Sequence, residues 1–340
     1  MVKLVVGVDV SKKQLDVGFW EQGDGSFLGT YDNNTKGFKA LARDVTAKAD
    51  ELDCNQIHLI IEPTGGYEHR LACFGYDKGW QVSLPNPRQL RKWAEGMGYR
   101  AKTDRQDAIM LAQYGYLAHK LALWRPSPEK IAELQALIDR RVDLKDMIQK
   151  EENRRDAFRA RNRYQGGIKA SLDQTIARLE QSLEEINAAI QEHIDQDPDL
   201  KEQIKLLRGV PGVGQKSAPM LLAFFHRFYC LTEGKGSSKA ITAYVGLDPQ
   251  PCESGRTVRG RSSISKQGNS VIRAQLYMCA VGGTGAKHTP LTCFYQRLVA
   301  AGKKKILAMV ASARKVLVWA WAVFKSQQPF DTKKAYARSN

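Results

Sequence analysis

Four carboxylates in the first third of the 340-residue chain have the residue types and the spacing of a metal centre. Asp9 lies inside the apolar run of residues 4–10, where a carboxylate is costly to bury unless it binds a cation or a strong donor. Glu62 ends a second apolar run, residues 57–61. If these two strands are neighbours in one sheet, both carboxylates emerge at the same edge.

The other two acids, Asp104 and Asp107, are three residues apart. Thr103 and Gln106 have the spacing of a capping box, which predicts a helix that begins at Asp104 and carries both acids on one face of its first turn. Such oxygen clusters hold hard divalent metals, and two Mg²⁺ ions about 3.5–4 Å apart stabilise the attacking and leaving oxygens of a phosphodiester reaction. The sequence therefore predicts that four acids converge on Mg²⁺.

Each acid also has a purely structural interpretation. Asp104 could complement a helix dipole, and Glu62 could be a surface residue at a strand end. Asp107 could pair with Arg100 or Arg105. The set of four, and no single acid, carries the metal-centre interpretation.

The pattern around these acids predicts an α/β sheet with mixed strand pairing. Short apolar stretches bounded by Gly and Asn come first, and stretches of helical spacing follow. The expected order β-β-β-α-β-α-β-α corresponds to residues 4–10, 14–20, 26–33, 35–51, 57–62, 67–79 and 81–84, and to the helix that starts at Asp104.

A break at Pro126 and Pro128 opens a helical region. Its apolar residues step by three or four positions, which predicts an antiparallel helical hairpin or coiled coil that ends near residue 198. A stalk that joins subunits and a helical pair within one chain both fit, because the spacing does not report the number of partners. The stepping residues are Leu137, Leu144, Ile148, Leu172, Ile176, Leu179, Leu183, Ile186 and Ile190.

The charge of +16 is concentrated at the end of the chain: residues 251–340 contain 16 Lys/Arg and 2 Asp/Glu. A folded basic surface of this kind favours a polyanionic partner, first of all nucleic acid, over a solvated basic face without a partner. With 43% hydrophobic residues the composition excludes disorder. No apolar run approaches a membrane span, and six scattered cysteines suggest neither disulfides nor a zinc site. We expect a soluble, cytoplasmic protein with no membrane partner.

Residues 209–214 read Gly-Val-Pro-Gly-Val-Gly. This stretch is similar to a helix-hairpin-helix turn, in which backbone N–H groups face a phosphate, and a glycine-rich connection without a ligand is the alternative. Further on, Ser254 lies in a polar loop among cations, where an alkoxide could attack a phosphate, although such a serine is more often a turn residue. The cations predicted to contact nucleic acid are Lys216, Arg256, Arg259, Arg261, Lys266 and Arg273.

Several motifs together resemble, in order and spacing, the IS110-family transposases over nearly the whole chain. They are Gly7-Val8-Asp9-Val10-Ser11-Lys12, Ile61-Glu62-Pro63-Thr64-Gly65, Lys102-Thr103-Asp104-Arg105-Gln106-Asp107-Ala108, Val210-Pro211-Gly212-Val213-Gly214, Glu253-Ser254-Gly255, Val258-Arg259-Gly260 and Ser265-Lys266.

This resemblance implies a RuvC-like (ribonuclease H-like) domain over residues 1–125, a coiled-coil stalk over 126–198 and a mostly helical transposase domain over 199–340. It implies a recombinase that a bridge RNA guides to donor and target DNA, as a dimer or tetramer. Asp9, Glu62, Asp104 and Asp107 would be the acidic tetrad that binds Mg²⁺. Ser254 would be the nucleophile of a phosphoserine intermediate.

Two other hypotheses remain open from the residues. A RuvC-like junction resolvase would use the same acids with water as the nucleophile, and Ser254 would be structural. A non-catalytic nucleic-acid-binding protein would use the basic third region alone.

Overall fold

The computed structural model of the chain describes residues 3–21, 23–99, 103–118, 121–250, 253–254, 258–259, 263–286 and 288–337. Its contacts separate two compact units. The first unit consists of Met1–Pro126 with Cys230–Gly234, and the second consists of Ser127–Tyr229 with Lys235–Asn340. The predicted acids belong to the first unit, and the predicted hairpin, glycine turn and serine belong to the second.

The first unit is built on a five-stranded sheet of order β3-β2-β1-β4-β5. Strands β1, β2 and β3 pair antiparallel, whereas β4 is parallel to both β1 and β5. The mixed α/β character predicted for this region is confirmed. Its elements are β1 (Lys3–Val10), β2 (Gln14–Glu21), β3 (Asp24–Asp32), α1 (Thr35–Glu51), β4 (Gln56–Ile61), α2 (His69–Asp77), β5 (Gln81–Ser83), α3 (Pro87–Gly96) and α4 (Asp104–Leu117).

Helix α3 is absent from the predicted order. Asn86 and Pro87, interpreted from sequence as the end of a strand, are instead its cap and its first residue: the Asn86 side chain accepts hydrogen bonds from the N–H groups of Arg88 and Gln89. Proline at the first helical position has no N–H to leave unpaired, so this pair starts a helix efficiently.

Strand β1 is buried on both faces, which explains its nearly continuous apolar sequence. Val6 and Val8 pack into the core shared with α1 and α2. Val5, on the opposite face, packs against Leu111 of α4 and Ile60 of β4. Because side chains alternate along a strand, Gly7 and Asp9 share this second face with Val5.

Glycines allow α4 to lie directly on the sheet. A Cβ atom added to Gly7 would come within 2.1 Å of the carbonyl oxygen of Ala108 and 2.4 Å of the backbone nitrogen of Ala112. A Cβ atom on Gly115 of the helix would lie 2.3 Å from the Cγ1 atom of Ile60. Any side chain at these positions would push the helix off the strands, since packed backbone cannot give way cheaply.

The second unit is mostly helical, and the described residues of its polar loop contain four two-residue strands. Strand β6 pairs antiparallel with β9, and β7 with β8. Its elements are α5 (Glu129–Ala160), α6 (Gly166–Asp195), α7 (Pro198–Arg208), α8 (Ala218–Leu231), α9 (Ser238–Val245), β6 (Pro249–Gln250), β7 (Glu253–Ser254), β8 (Val258–Arg259), β9 (Ser263–Ile264), α10 (Ser270–Gly285), α11 (Pro290–Ala300), α12 (Lys305–Ser326) and α13 (Thr332–Ala337).

Helices α5 and α6 form an antiparallel hairpin. At one end of the pair, the Nε2 atom of His193 lies 2.8 Å from the carbonyl oxygen of Lys130. At the other end, the Tyr164 hydroxyl donates a hydrogen bond to Asp173. Apolar residues at the start of α5 and the end of α6 belong to the main core of the second unit. This end of the hairpin is therefore anchored in that core.

Helix α12 is, among the described residues, the one helix with the length and apolar composition of a membrane span. Its residues Val316, Leu317 and Trp321 are at most 1% exposed and lie in the core of the second unit, packed with Phe225 of α8. Core helices of soluble proteins can have the same length and apolar composition.

A hydrogen-bond network holds His58 of β4 neutral inside the first unit. Lys3 Nζ donates to the Nδ1 atom at 3.1 Å, so the proton of the ring lies on Nε2, which is 2.8 Å from Ser83 Oγ. Ser83 Oγ in turn donates to the carbonyl oxygen of Ala122 at 2.9 Å. Burial, followed by the charge of Lys3, lowers the pKa of His58 to about 4.

We predict that acid destabilises the first unit through His58. In the unfolded chain the His58 ring binds a proton with a pKa of about 6.5, above the folded value of about 4. The contribution of neutral His58 to the free energy of unfolding is therefore fully present above pH 6.5 and is lost as the pH falls toward 4. From pH 7 to pH 5 the loss from this residue is about 2 kcal/mol. Hydrogen exchange of the β4 amides, measured at both pH values, checks it.

The matched variant is His58→Gln, which keeps a polar side chain but cannot bind the proton. Its β4 amides should lose most of the pH dependence. An equal pH dependence in the variant and the wild type would contradict the assignment to His58.

Candidate active site

The acids Asp9 and Glu62, the strand acids, lie at neighbouring positions of two parallel strands. Register pairs Val8 with Ile61, so Asp9 and Glu62 occupy the next position along β1 and beyond the end of β4. The carboxyl ends of parallel strands meet at one edge of a sheet, as the sequence analysis expects. Asp9 is half-buried there, on the face that α4 covers.

The acids Asp104 and Asp107, the helix acids, lie in the first turn of α4. The Thr103 side chain caps this turn by accepting from the N–H of Gln106 at 3.2 Å, which agrees with the predicted start of the helix. The next residue after Asp107 is Ala108, whose carbonyl presses on Gly7 of β1. That contact fixes the first turn of α4 beside the strand acids.

The charges of the other three predicted acids act on Asp9. Burial raises the pKa of Asp9 to about 6, with further contributions from the negative charges of Asp107, Asp104 and Glu62, in that order. A carboxyl group that resists ionisation because of burial and of its carboxylate neighbours is typical of a functional site.

Asp16 is a fifth carboxylate in this group that the sequence analysis does not single out. It lies opposite Asp9 in the antiparallel pair of β1 and β2, and its charge also raises the pKa of Asp9. The Thr30 hydroxyl donates to Asp16 Oδ1 at 2.6 Å. The signal that could have found it is the short turn between the two strands, which fixes the register once the hairpin is recognised.

Two side chains fix the loops that follow the strand acids. The Asn33 amide donates to the carbonyl oxygens of Ser11 and Tyr67, at 2.9 and 3.2 Å, and so ties the loop after β1 to the loop after β4. Within the second loop, the Glu68 carboxylate accepts from the N–H of Gly66 at 2.8 Å. The two strand acids are therefore held by a connected frame.

The carboxylates suit a hard divalent cation by their chemistry. All donors are carboxylate oxygens, and a bound cation would offset both the burial and the neighbouring negative charges that raise the pKa of Asp9. Among the described residues, no three Asp, Glu, His or Cys side chains stand close enough to share one ion. The acids are thus gathered into one electrostatic group without forming a complete coordination shell.

The predicted nucleophile Ser254 lies on β7, where its backbone pairs with Val258 of β8. The side chains of Ser254 and Arg259 lie outside the described part of the chain, as do residues 255–257 and 260–262 with Arg256 and Arg261. The structure therefore brings the four acids together within the first unit and gives no side-chain geometry for the serine.

The remaining predicted nucleic-acid contacts have different surroundings. Lys216 and Lys266 are exposed. Arg273 is half-buried, and its Nη1 atom donates to the carbonyl oxygens of Val245 and Gly268, at 2.9 and 2.5 Å. Arg273 thus fastens the end of the polar loop to α9, which is a structural task in addition to any contact with nucleic acid.

The glycine turn between α7 and α8 is shaped by packing as well as by exposure. Gly212 has a φ angle of +87°, and a Cβ atom there would come within 2.1 Å of the carbonyl oxygen of Cys279 in α10. Gly214, in contrast, has no neighbouring atom within 4 Å of an added Cβ. The first glycine is therefore required by helix packing, and the second leaves an open surface.

Comparison with known proteins identifies the family. Residues 6–160 match the transposase family model DEDD_Tnp_IS110, and residues 204–296 match the model described as transposase IS116/IS110/IS902 family. The chain belongs to the IS110 family of transposases. The resemblance seen in the sequence motifs is confirmed, and the protein is accordingly an enzyme of DNA transposition or recombination.

Two relatives of this transposase align along almost their entire length. They are the pilin gene-inverting proteins of Moraxella bovis and Moraxella lacunata, each 32% identical over 337 residues. The alignments cover 98% of this chain and 99% of each relative. Both units of the transposase therefore have counterparts in these proteins.

We predict that Gly7→Ala impairs the transposase by moving α4. The new methyl group collides with backbone atoms, so unfolding should become easier by about 1–3 kcal/mol. Displacement of the helix acids by about 1 Å should reduce DNA cleavage on the order of a hundredfold. Chemical unfolding and a cleavage assay measure the two effects.

Gly96→Ala in α3 is the control, because no atom lies within 4 Å of the added Cβ. This variant should keep wild-type stability and activity. Full activity of Gly7→Ala would show that the close approach of α4 does not position the acids.

Proposed function

We propose that this transposase cuts and rejoins DNA with the strand acids, the helix acids and Ser254 as its catalytic groups. The observation that carries the proposal is that the charges of Glu62, Asp104 and Asp107 act on Asp9, whose pKa is raised to about 6 by burial and by these charges. Their order along the chain, Asp-Glu-Asp-Asp, corresponds to the letters DEDD in the name of the matched model.

The four carboxylates would hold Mg²⁺. When bound, Mg²⁺ neutralises charge on the scissile phosphate and on the oxygens that enter and leave. The chain's own contribution is to place the oxygens of Asp9 and Glu62 on a rigid sheet edge and those of Asp104 and Asp107 on a capped helix.

Ser254 would be the nucleophile. Its Oγ atom attacks the phosphorus, the bond from phosphorus to the 3′-oxygen breaks, and the proton of the serine hydroxyl ends on that oxygen as a 3′-hydroxyl. The reverse attack by a 3′-hydroxyl of another strand restores the serine and joins the new pair of ends. Because one ester replaces another in each step, strand exchange needs no external energy source.

The names of the Moraxella relatives support rejoining over simple hydrolysis. These proteins are described as gene-inverting, and inversion of a DNA segment requires that every cut end be joined again. A transposase that shares their full length is best explained by a reaction that conserves the phosphodiester bond energy.

We further propose the architecture that the motifs imply. The sheet order β3-β2-β1-β4-β5 with its mixed pairing supports a RuvC-like, ribonuclease H-like domain over residues 1–125. The hairpin of α5 and α6 supports a coiled-coil stalk over residues 126–198, through which a dimer or tetramer would form. Residues 199–340 would be the transposase domain.

The partners would be donor and target double-stranded DNA, recognised with the help of a bridge RNA in the cytoplasm. Exposed Lys216 and Lys266 and the basic residues 256, 259 and 261 would contact phosphates, since both A-form and B-form backbones are bound by Lys and Arg surfaces. The bridge RNA itself is proposed on family resemblance alone.

A RuvC-like hydrolase is the second candidate function. It is favoured by one observation: all four acids belong to the first unit, which does not contain Ser254. In that case a metal-activated water attacks the phosphate, and Ser254 has a structural role.

We predict that Ser254→Ala abolishes both DNA cleavage and the covalent protein–DNA adduct. The variant lacks the attacking oxygen but keeps the acids, so its affinity for DNA should stay within about twofold of the wild type. The adduct is measured by denaturing gel electrophoresis of labelled DNA, and Asp9→Asn should also form none.

The matched control is Ser263→Ala, which changes an exposed serine of strand β9 and should cleave normally. Cleavage without an adduct by Ser254→Ala would favour the hydrolase and refute the serine mechanism.

A further inference from the structure

A buried arginine in the second unit has no counter-ion among the residues that the structure describes. Arg141 of α5 is 3% exposed, and its Nη2 atom donates to the carbonyl oxygen of Lys216 at 3.0 Å. Its Nε atom is buried without a hydrogen-bond partner, and Arg141 forms no ion pair with any described residue. Burial of a single unpaired charge is strongly unfavourable, so an anion that approaches this site would be stabilising.

Two further cations gather around this arginine. Lys145 lies one helical turn beyond Arg141 on the same face of α5, and Lys216 lies in the turn whose carbonyl Arg141 holds. Partial burial, and then the charges of Arg141 and Lys216, lower the pKa of Lys145. Like charges are therefore crowded here, and within the described ranges no acidic side chain forms an ion pair with either lysine.

The turn before α8 adds backbone donors to this group. The N–H of Gly214 is taken by the Ser217 hydroxyl at 2.8 Å, and the N–H of Ala218 by the carbonyl oxygen of Gly214 at 3.0 Å. Of the three residues between them, Ser217 donates its N–H to the carbonyl oxygen of Gly214 at 3.2 Å, whereas the N–H groups of Gln215 and Lys216 donate to no residue that the structure describes. Unpaired donors at the start of a 14-residue helix favour an anion.

We propose that Arg141, Lys145, Lys216 and the backbone of Gln215 bind one phosphate of a nucleic-acid backbone. Lys145 and Lys216 contact the phosphate oxygens, and the turn donates its backbone N–H groups to them. The buried charge of Arg141 attracts the phosphate electrostatically. The assignment of the phosphate to nucleic acid rests on the proposed function, whereas the anion site itself does not.

Three features distinguish this site from an ordinary basic surface. Its central cation is buried and fixed, its donors come from two separate elements, and one guanidinium nitrogen is left without a partner. A solvated basic face has none of these features, because its cations are satisfied by water.

The first test is thermal unfolding of the full chain in inorganic phosphate against chloride at equal ionic strength. Phosphate should raise the melting temperature of the wild type by about 3 °C or more, because a ligand that binds only the folded state stabilises it. The double variant Lys145→Gln/Lys216→Gln should lose that rise. A rise in the variant equal to that of the wild type, or no rise in the wild type, would overturn the site.

The matched control is Lys150→Gln/Lys169→Gln, which removes the same charge from exposed positions of the hairpin. It should respond to phosphate as the wild type does. Arg141→Met tests the buried charge separately: it should fold at least as stably as the wild type in chloride and no longer respond to phosphate. A strongly destabilised Arg141→Met that still responds to phosphate would show that Arg141 only supports the turn.

The second test identifies the source of the phosphate with duplex DNA in one arm and duplex RNA in the other. If the site holds one backbone phosphate of the true ligand, the slope of log K against log[salt] becomes shallower by about one in the lysine double variant. A slope that changes with DNA alone, or with RNA alone, identifies that nucleic acid as the ligand. Unchanged slopes in both arms, with the phosphate response intact, would refute nucleic acid as the ligand and leave a free-anion site.

Discussion

The close contact between α4 and strand β1 is the constraint on which the acidic centre depends. The backbone of Ala108 and Ala112 occupies the space that a side chain at Gly7 would need. Only a glycine lets the helix approach the strand this closely, and this approach places the first turn of α4 beside Asp9. The geometry of the proposed chemistry is therefore set by backbone packing as much as by the carboxylates themselves.

Each unit holds a group of like charges, negative in the first unit and positive in the second. In the first unit, burial and several carboxylates raise the pKa of Asp9 to about 6. In the second unit, burial and then the charges of Arg141 and Lys216 lower the pKa of Lys145. Like charges held close together cost stability unless a ligand of opposite sign binds. The first group suits a divalent cation and the second a phosphate, which are two components of a phosphodiester reaction.

Much of this arrangement follows from local sequence patterns. Thr103 and Gln106 predict the start of α4, and the apolar runs that contain Asp9 and precede Glu62 predict two strands, because capping and alternation are local effects. Helix α3 escapes prediction, since Pro85-Asn86-Pro87 both ends one element and starts another.

Other features depend on contacts between residues far apart in sequence. The position of Asp16 opposite Asp9 requires the register of a hairpin, and the role of Arg273 requires knowledge of the carbonyl groups it meets. The burial of Arg141 runs against the usual exposure of arginine, and only the packing of α5 against the turn at Lys216 reveals it. Periodicity places such residues on a helix or a strand but does not identify their neighbours.

The most direct measurement of the central claim is an NMR titration of the Asp9 carboxyl carbon in the metal-free transposase. If burial and the converging acids act as described, Asp9 titrates near pH 6, and replacing both Asp104 and Asp107 with asparagine moves its midpoint toward the ordinary value of about 4. An Asp9 midpoint near 4 in the wild type, unchanged by those substitutions, would contradict the convergence of the acids.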